Sequence, residues 1–229
     1  MNRKLTKGVL SAIFCCAAMA PVAAKDKSTP TPEEPATVTL WRGANEVMTR
    51  PQDSHGFYTY KNRFNRAMAR ERIFMNIPAD VSMEKNFLRK FDYLRNSSYE
   101  AKAFAVNRYV NNYVKYTSDK SLYGSEIHWG SPFETIKNHG GECKDYAVLK
   151  YKVLRYLGVP ETRLFLTGVD PNGGNDDDHE VLLMNVAQDG KRQKLVVMSN
   201  GINSLFVAGD RGWSYFEMQN KDGFWFPQQ

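Results

Sequence analysis

Apolar residues in the centre of the chain recur at the spacing of amphipathic helices. Between Met83 and Leu94 they fall on one face of a predicted helix. Ser97, with Glu100 three residues later, forms a predicted capping box for a second helix that ends near Tyr116. We expect both helices to serve as scaffold.

A third helical pattern follows a pair of glycines, Gly140-Gly141. Its apolar positions recur every three or four residues and are Ala147, Val148, Tyr151, Leu154 and Leu157. Gly158 and Pro160 mark its end, because a glycine favours the C′ position and a proline cannot continue a helix. The pattern therefore predicts a helix that begins close to Cys143.

Downstream of Pro160 the hydrophobic period changes to that of β-strands, separated by turns rich in Gly, Asn and Asp. The predicted strands are 163–169, 180–186, 194–199, 205–208 and 213–218. Helices that precede a set of antiparallel strands are typical of an α+β domain.

The first 24 residues have the organisation of a secretory signal: a basic start, an apolar run and a small-residue cleavage site that ends at Ala24. The apolar run is too short for a membrane span, which needs about 20 residues. We therefore expect export to the periplasm and removal of 1–24. A flexible Pro-rich tail over 25–37 then precedes one domain over 38–229.

The beginning of that domain, 38–78, carries its weakest pattern. A short strand over 57–60 and a basic helix over 63–73 are predicted there. We expect this segment to pack over the main core.

Composition narrows the chemistry of the exported chain. The whole chain carries a formal charge of +6, and loss of the three basic residues of the signal leaves +3. That charge is too small to indicate nucleic-acid binding. Cys15 and Cys16 leave with the signal, so Cys143 stays without a disulfide partner in an oxidising compartment. The cysteines and histidines do not have the spacing of a zinc site.

The predicted helix start gives Cys143 a reactive environment. Unpaired backbone N–H groups and the helix dipole favour a thiolate in the first turn. A thiolate is the nucleophile of cysteine catalysis. The alternative role for Cys143 is that of a small buried hydrophobe, as for most free cysteines.

His179 stands at the start of a predicted strand, where it suits the role of general base. A third group must then orient its imidazole. If Asp189-Gly190 forms a two-residue hairpin turn, Asn200 lies opposite His179, whereas a slip of one residue brings Ser199 there. Both residues are candidates on the pattern alone.

Motifs on both sides of the cysteine extend these observations. Val106 to Tyr116 is followed by Trp129-Gly130-Ser131-Pro132-Phe133-Glu134-Thr135, and then by Gly141-Glu142-Cys143-Lys144-Asp145-Tyr146-Ala147. Leu157-Gly158-Val159-Pro160 and His179-Glu180-Val181-Leu182-Leu183 come later. Together they resemble the bacterial transglutaminase-like cysteine proteinases of the periplasmic LapG type.

The resemblance implies a papain- and transglutaminase-like α+β fold, in which the cysteine-bearing helix packs on an antiparallel sheet. It implies Cys143 as the nucleophile and His179 as the general base of a cysteine endopeptidase. Trp129 and Glu142 become candidates for contact with the substrate or the oxyanion. Members of the family cut a large surface adhesin, which disperses biofilm, and an inner-membrane cyclic-di-GMP receptor can sequester them.

Two positions depart from the family pattern. Acidic residues beside the cysteine are associated with calcium in LapG-type enzymes, and Glu142 and Asp145 keep oxygen ligands. Lys144, however, puts an ammonium where a carboxylate is expected, so we expect at most a weak calcium site and no required cofactor. Ser199 stands where the family has an orienting Asp, although Asn200 offers an oxygen that accepts from an imidazole.

The neutral third position keeps two alternatives open. One is a binding protein on a protease fold that has lost catalysis. The other is acyl transfer to an amine, or deamidation of glutamine, by the same thiol. An intact pair of Cys143 and His179 favours an enzyme, whereas Ser199 in place of Asp favours the inactive protein.

Overall fold

The structure, a computed structural model, describes residues 38–40, 46–49, 78–172, 179–188, 192–220 and 224–227. The predicted signal and tail lie outside these residues, as do the elements expected at 57–60 and 63–73 and the turn Asp189-Gly190.

The three predicted helices are present, and two short helices lie between the second and the third. The α-helices are α1 (Pro78–Arg89), α2 (Tyr99–Tyr113), α3 (Asp119–Tyr123), α4 (Pro132–Asn138) and α5 (Cys143–Tyr156), with 3-10 turns at Asp92–Leu94 and Glu161–Arg163. No helix in the described part of the chain is long and apolar enough to cross a membrane.

The predicted start of α2 is wrong by one residue. Its N-cap is Ser98, whose Oγ accepts a hydrogen bond from the backbone N of Ala101 at 3.2 Å. Ser97 and Glu100 have the right spacing for a capping box, but Ser98 takes the cap position. The end of α5 agrees with the prediction, because Gly158 follows its C-cap with a φ of +80° that glycine adopts without strain.

Helix α4 leads the chain into the start of α5. A capping box opens it: the Ser131 N–H donates to Glu134 Oε2 at 2.8 Å, and the Glu134 N–H donates to Ser131 Oγ at 3.2 Å. His139 closes it in a left-handed conformation, with a φ of +49°. The chain then enters Gly140-Gly141 directly.

Eight of the described strands form one antiparallel sheet. They are β1 (Val38–Leu40), β2 (Glu46–Thr49), β5 (Leu164–Asp170), β6 (His179–Asn185), β7 (Leu195–Met198), β8 (Phe206–Val207), β9 (Ser214–Gln219) and β10 (Phe224–Pro227). Their order across the sheet is β1-β2-β10-β9-β5-β6-β7-β8. A separate parallel pair joins β3 (Lys115–Tyr116) to β4 (Gly140–Gly141). The five predicted strands are therefore confirmed, each within two residues of its expected ends.

The period of two along the central strands divides the core between the two faces of the sheet. Even-numbered residues such as Leu166, Leu182 and Val196 pack with the helices, whereas odd-numbered residues such as Leu183 and Val197 belong to a second cluster. Helix α5 packs against β6 and α2 and is buried on most sides. This packing fixes the position of the residues at the start of α5.

Candidate active site

The side chain of Asp145 fixes the start of α5 through hydrogen bonds to two backbone N–H groups. Its Oδ2 accepts from the backbone N of Glu142 at 2.8 Å, and its Oδ1 accepts from that of Gly130 at 2.8 Å. A Cβ atom on Gly141 would lie 2.7 Å from the Cβ of Asp145, so glycine alone fits there without displacement. These contacts fix Cys143 as the first residue of α5.

The Cys143 thiol lies beside the beginning of β6. Its Sγ accepts a hydrogen bond from the backbone N of Glu180, the residue after His179, at 3.5 Å. Burial raises the pKa of this thiol, and the Glu180 N–H and Lys144 offset only part of that effect. The resting form is therefore a thiol and not the thiolate that the helix start predicts, because desolvation outweighs the N–H groups and the dipole.

His179 is the first residue of β6, as the strand pattern predicts. Its Nε2 lies 2.9 Å from Ser199 Oγ, and the edge of its ring meets Trp213 at 5.9 Å between centroids. Burial and, to a smaller extent, the charge of Lys150 together lower the pKa of His179 to about 4. The imidazole is therefore neutral at pH 7 and able to take a proton.

The pairing of β6 with β7 decides which residue contacts His179. Leu182 lies opposite Met198, which differs by one residue from the register that a two-residue turn at Asp189-Gly190 predicts. A shift of one residue turns each side chain of a strand to the opposite face of the sheet. In the observed register the side chain of Ser199, and not that of Asn200, lies on the same face as His179. Of the two candidates, Ser199 contacts His179, and the register that would place Asn200 opposite His179 is not formed. The Asn200 Oδ1 is buried without a hydrogen bond to the described residues.

Two asparagines of α2 hold the turn that follows β7. Asn111 Nδ2 donates to the carbonyl oxygen of Ser199 at 2.9 Å, and Asn107 Nδ2 donates to that of Ile202 at 2.8 Å. Ser199, which is 2 % exposed, also accepts at its Oγ from the Gly201 N–H at 3.4 Å. The role of Asn107 and Asn111 in holding this turn is not predicted from the sequence. Their spacing of one helical turn on an otherwise apolar face of α2 is the pattern that indicates it.

A second polar cluster lies around Lys144, the residue after the cysteine. Its Nζ is 2.8 Å from Asp119 Oδ2 and 2.7 Å from Glu142 Oε2. Glu142 Oε1 accepts from the Asp119 N–H at 3.0 Å, and Asp119 Oδ2 also accepts from the His128 N–H. Burial lowers the pKa of Lys144, but the carboxylates of Asp145, Asp119 and Glu142 raise it above its ordinary value. Asp119 carries no sequence signal of this role.

The two residues predicted to contact the substrate or the oxyanion, Trp129 and Glu142, have other roles in the structure. Trp129 is buried and belongs to the main hydrophobic core. Glu142 has its backbone N–H occupied by Asp145 and its side chain occupied by Lys144 and Asp119. That N–H is therefore not available to an oxyanion, and the Glu142 carboxylate belongs to the cluster around Lys144.

The donor set does not fit calcium. Calcium takes six to eight oxygen ligands at about 2.3–2.6 Å. Here the Lys144 ammonium already lies between the carboxylates of Asp119 and Glu142, and both oxygens of Asp145 accept from backbone N–H groups. In the described residues, no group of three His, Cys, Asp or Glu side chains has the arrangement of a metal site.

Comparison with known proteins decides the family. The family model of the bacterial transglutaminase-like cysteine proteinases, BTLCP, matches residues 84–227. The chain belongs to this family. The sequence matches no curated protein.

Solved structures of a protease from this group resemble the chain. LapG from Legionella pneumophila is 25% identical, with a TM-score of 0.50 over 59% of this chain and 73% of that one. Its calcium-bound form gives a TM-score of 0.51, and its EGTA-treated form gives 0.52 over 61% of this chain. The transglutaminase-like α+β fold that the resemblance implies is thus confirmed, and the protein is a transglutaminase-like cysteine protease by family.

Proposed function

We propose that this protein is a periplasmic cysteine endopeptidase that cuts a surface or biofilm adhesin. The observation that carries the proposal is a pair of contacts that joins three separate elements. Cys143 begins α5, His179 begins β6 and Ser199 follows β7. The thiol lies against the residue after His179, and His179 contacts Ser199. This arrangement supplies a nucleophile, a base and a group that orients the base.

The proposed reaction begins from the neutral pair. Because the Ser199 hydroxyl lies at Nε2, an Nε2–H tautomer leaves Nδ1 of His179 as the basic nitrogen. His179 takes the thiol proton as Cys143 Sγ bonds to the peptide carbonyl carbon, and the carbonyl oxygen becomes an oxyanion. The C–N bond then breaks, and His179 gives the proton to the departing amine. Water, deprotonated by His179, releases the acid from the thioester and restores the thiol.

The oxyanion needs hydrogen-bond donors near the thiol. Since the Glu142 N–H is bonded to Asp145, we assign this role to the backbone N–H of Cys143, which lies in the first turn of α5. The helix N-terminus also favours negative charge there.

Ser199 provides weaker support for His179 than an Asp would. An Asp accepts only and so fixes the Nε2–H tautomer, whereas a hydroxyl can donate or accept. A Ser also brings no negative charge to stabilise an imidazolium. We therefore expect a slow enzyme.

The substrate, location and partner of the proposal rest on the resemblance to the LapG-type proteases and on the signal pattern of 1–24. An adhesin is the proposed substrate, and an inner-membrane cyclic-di-GMP receptor is the proposed partner that holds the protease inactive.

The test is labelling and cleavage by the mature chain, 25–229. A thiol-reactive electrophile is expected to label Cys143 in the folded protein, and His179→Ala is expected to slow labelling by about a hundredfold. Cys143→Ala is the unlabelled control. The same three proteins are incubated with the N-terminal segment of an adhesin, and the products are measured by mass spectrometry.

The outcomes separate the alternatives. Cleavage that needs both Cys143 and His179 supports the endopeptidase. Deamidated or amine-linked glutamine without chain cleavage would indicate acyl transfer by the same thiol. A thiol that reacts only in urea, together with an intact adhesin segment, would overturn the proposal in favour of a binding protein.

A further inference from the structure

The ammonium of Lys144 is held by carboxylates in the first turn of α5. Asp119 Oδ2 and Glu142 Oε2 lie 2.8 and 2.7 Å from its Nζ. The Lys144 side chain is 10 % exposed and that of Asp119 is 1 % exposed, so this ion pair is buried, whereas the Glu142 side chain is 25 % exposed. Surface pairs contribute little, but removal of one partner from a buried pair leaves an uncompensated charge.

The cluster joins two parts of the chain that are distant in sequence. Asp119 begins α3 and accepts from the His128 N–H, which ties both ends of the segment before Trp129 to one carboxylate. Lys144 joins that carboxylate to the start of α5, and Glu142 accepts from the Asp119 N–H at 3.0 Å. A positive charge at this point is therefore needed to hold the 119–128 segment against the cysteine-bearing helix.

We infer that the Lys144 ammonium is a covalently attached substitute for a metal cation, which makes the start of α5 independent of calcium. A calcium-bound form and an EGTA-treated form of Legionella pneumophila LapG are known. In this chain the carboxylates of Asp119 and Glu142 are neutralised by a side chain that cannot dissociate. The fold around Cys143 consequently does not respond to the calcium concentration.

The first measurement is thermal unfolding of the mature wild type with EGTA and with millimolar calcium, together with calorimetric titration of calcium. The melting temperature is expected to be the same in both solutions, and the titration is expected to show no binding heat. This readout does not involve peptidase activity, so the inference stands or falls separately from the proposed function.

Two variants test the role of the ammonium. Lys144→Met keeps a long unbranched side chain and removes the charge, and we expect its melting temperature to fall by about 10 °C in EGTA. Lys144→Glu adds a carboxylate where the ammonium was. It is expected to unfold at a lower temperature in EGTA and to regain at least about 5 °C with millimolar calcium.

The matched control is Lys85→Glu, the same charge reversal at an exposed lysine of α1. It is expected to change neither the melting temperature nor the response to calcium. A wild type that binds calcium and is stabilised by it would overturn the inference, and so would a Lys144→Met variant as stable as the wild type. If Lys144→Glu does not fold in either solution, the wild-type titration and Lys144→Met still decide the question.

Discussion

Two polar clusters meet at the first turn of α5, and they differ in charge. Around Lys144 an ammonium lies between the carboxylates of Asp119 and Glu142, and nearby carboxylates raise the pKa of Lys144. Around Cys143 the groups are neutral, because burial raises the pKa of the thiol and lowers that of His179 to about 4. Cys143 and Lys144 are adjacent in α5, yet Lys144 belongs to a cluster of charged groups and Cys143 to a cluster of neutral ones.

The difference shows that nearby opposite charges can offset the effect of burial on the pKa of a buried group. Lys150 makes the point within the same helix. It is fully buried, its Nζ donates to the carbonyl oxygen of Met198 at 3.2 Å, and burial lowers its pKa well below the ordinary value. Lys144, surrounded by carboxylates, has its pKa raised. The first cluster is suited to hold structure and the second to transfer a proton.

The largest expected effect separates activity from stability. Cys143→Ala in the chain 25–229 is expected to abolish hydrolysis, because Cys143 is the only cysteine of those residues. The melting temperature is expected to stay within about 2 °C of the wild type, since the thiol makes one long hydrogen bond and the change is small. Peptide cleavage and differential scanning calorimetry measure the two quantities. A large loss of stability would show that Cys143 is mainly a core residue.

A substitution in the cluster around Lys144 is expected to reduce stability. Asp119→Asn removes one carboxylate from Lys144 and is expected to lower the free energy of unfolding by about 3 kcal/mol. Urea denaturation measures it, and the double variant with Lys144→Met gives the coupling between the two side chains. Glu126→Gln is the control, because it breaks an exposed ion pair with Lys120. Additive effects of Asp119→Asn and Lys144→Met would contradict the cluster.

A change at Ser199 makes the neutral cluster more like the charged one. Ser199→Asp is expected to raise the rate of cleavage about tenfold, or about 1.4 kcal/mol, since a carboxylate fixes the tautomer and stabilises the imidazolium. It is also expected to raise the pKa of His179 above about 4, so that the acid limb of the pH–rate profile moves to higher pH. Ser199→Asn, neutral and similar in size, is the control.

The alanine variants test the same contact. Ser199→Ala removes the partner of His179 and is expected to reduce the rate more than Asn200→Ala does, because Asn200 is out of phase with the imidazole. The reverse ranking in steady-state kinetics would favour the register with a two-residue turn.

The smallest expected effect concerns Lys150. Its pKa is lower in the folded chain than in the unfolded chain, so the unfolded chain binds more protons at neutral pH. The free energy of unfolding therefore rises as the pH increases toward the pKa that Lys150 has in the unfolded chain. Lys150→Met has a similar volume and is expected to remove this rise between pH 7 and 10. It also removes the group whose charge lowers the pKa of His179. Denaturation at several pH values measures the slope, and an unchanged slope would show that Lys150 stays protonated in the fold.

The sequence by itself determined the local elements. The apolar spacing, with Gly158 and Pro160, located α5 and placed Cys143 at its start, and the period of two located the five later strands. It also put His179 at the beginning of β6. Short helices were missed: α3 and α4 are too short to show a hydrophobic period, although the Ser131 and Glu134 capping box was there to be read.

Only the tertiary structure decided how these elements combine. The register of β6 and β7 depends on packing and on the length of the connection, and one residue of difference exchanges Asn200 for Ser199 beside His179. Asp119 meets Lys144 across 25 positions of sequence, which no local pattern encodes. The ionisation of Cys143 likewise follows from burial, because desolvation depends on everything that covers the thiol, whereas the helix start that favours a thiolate is a local property.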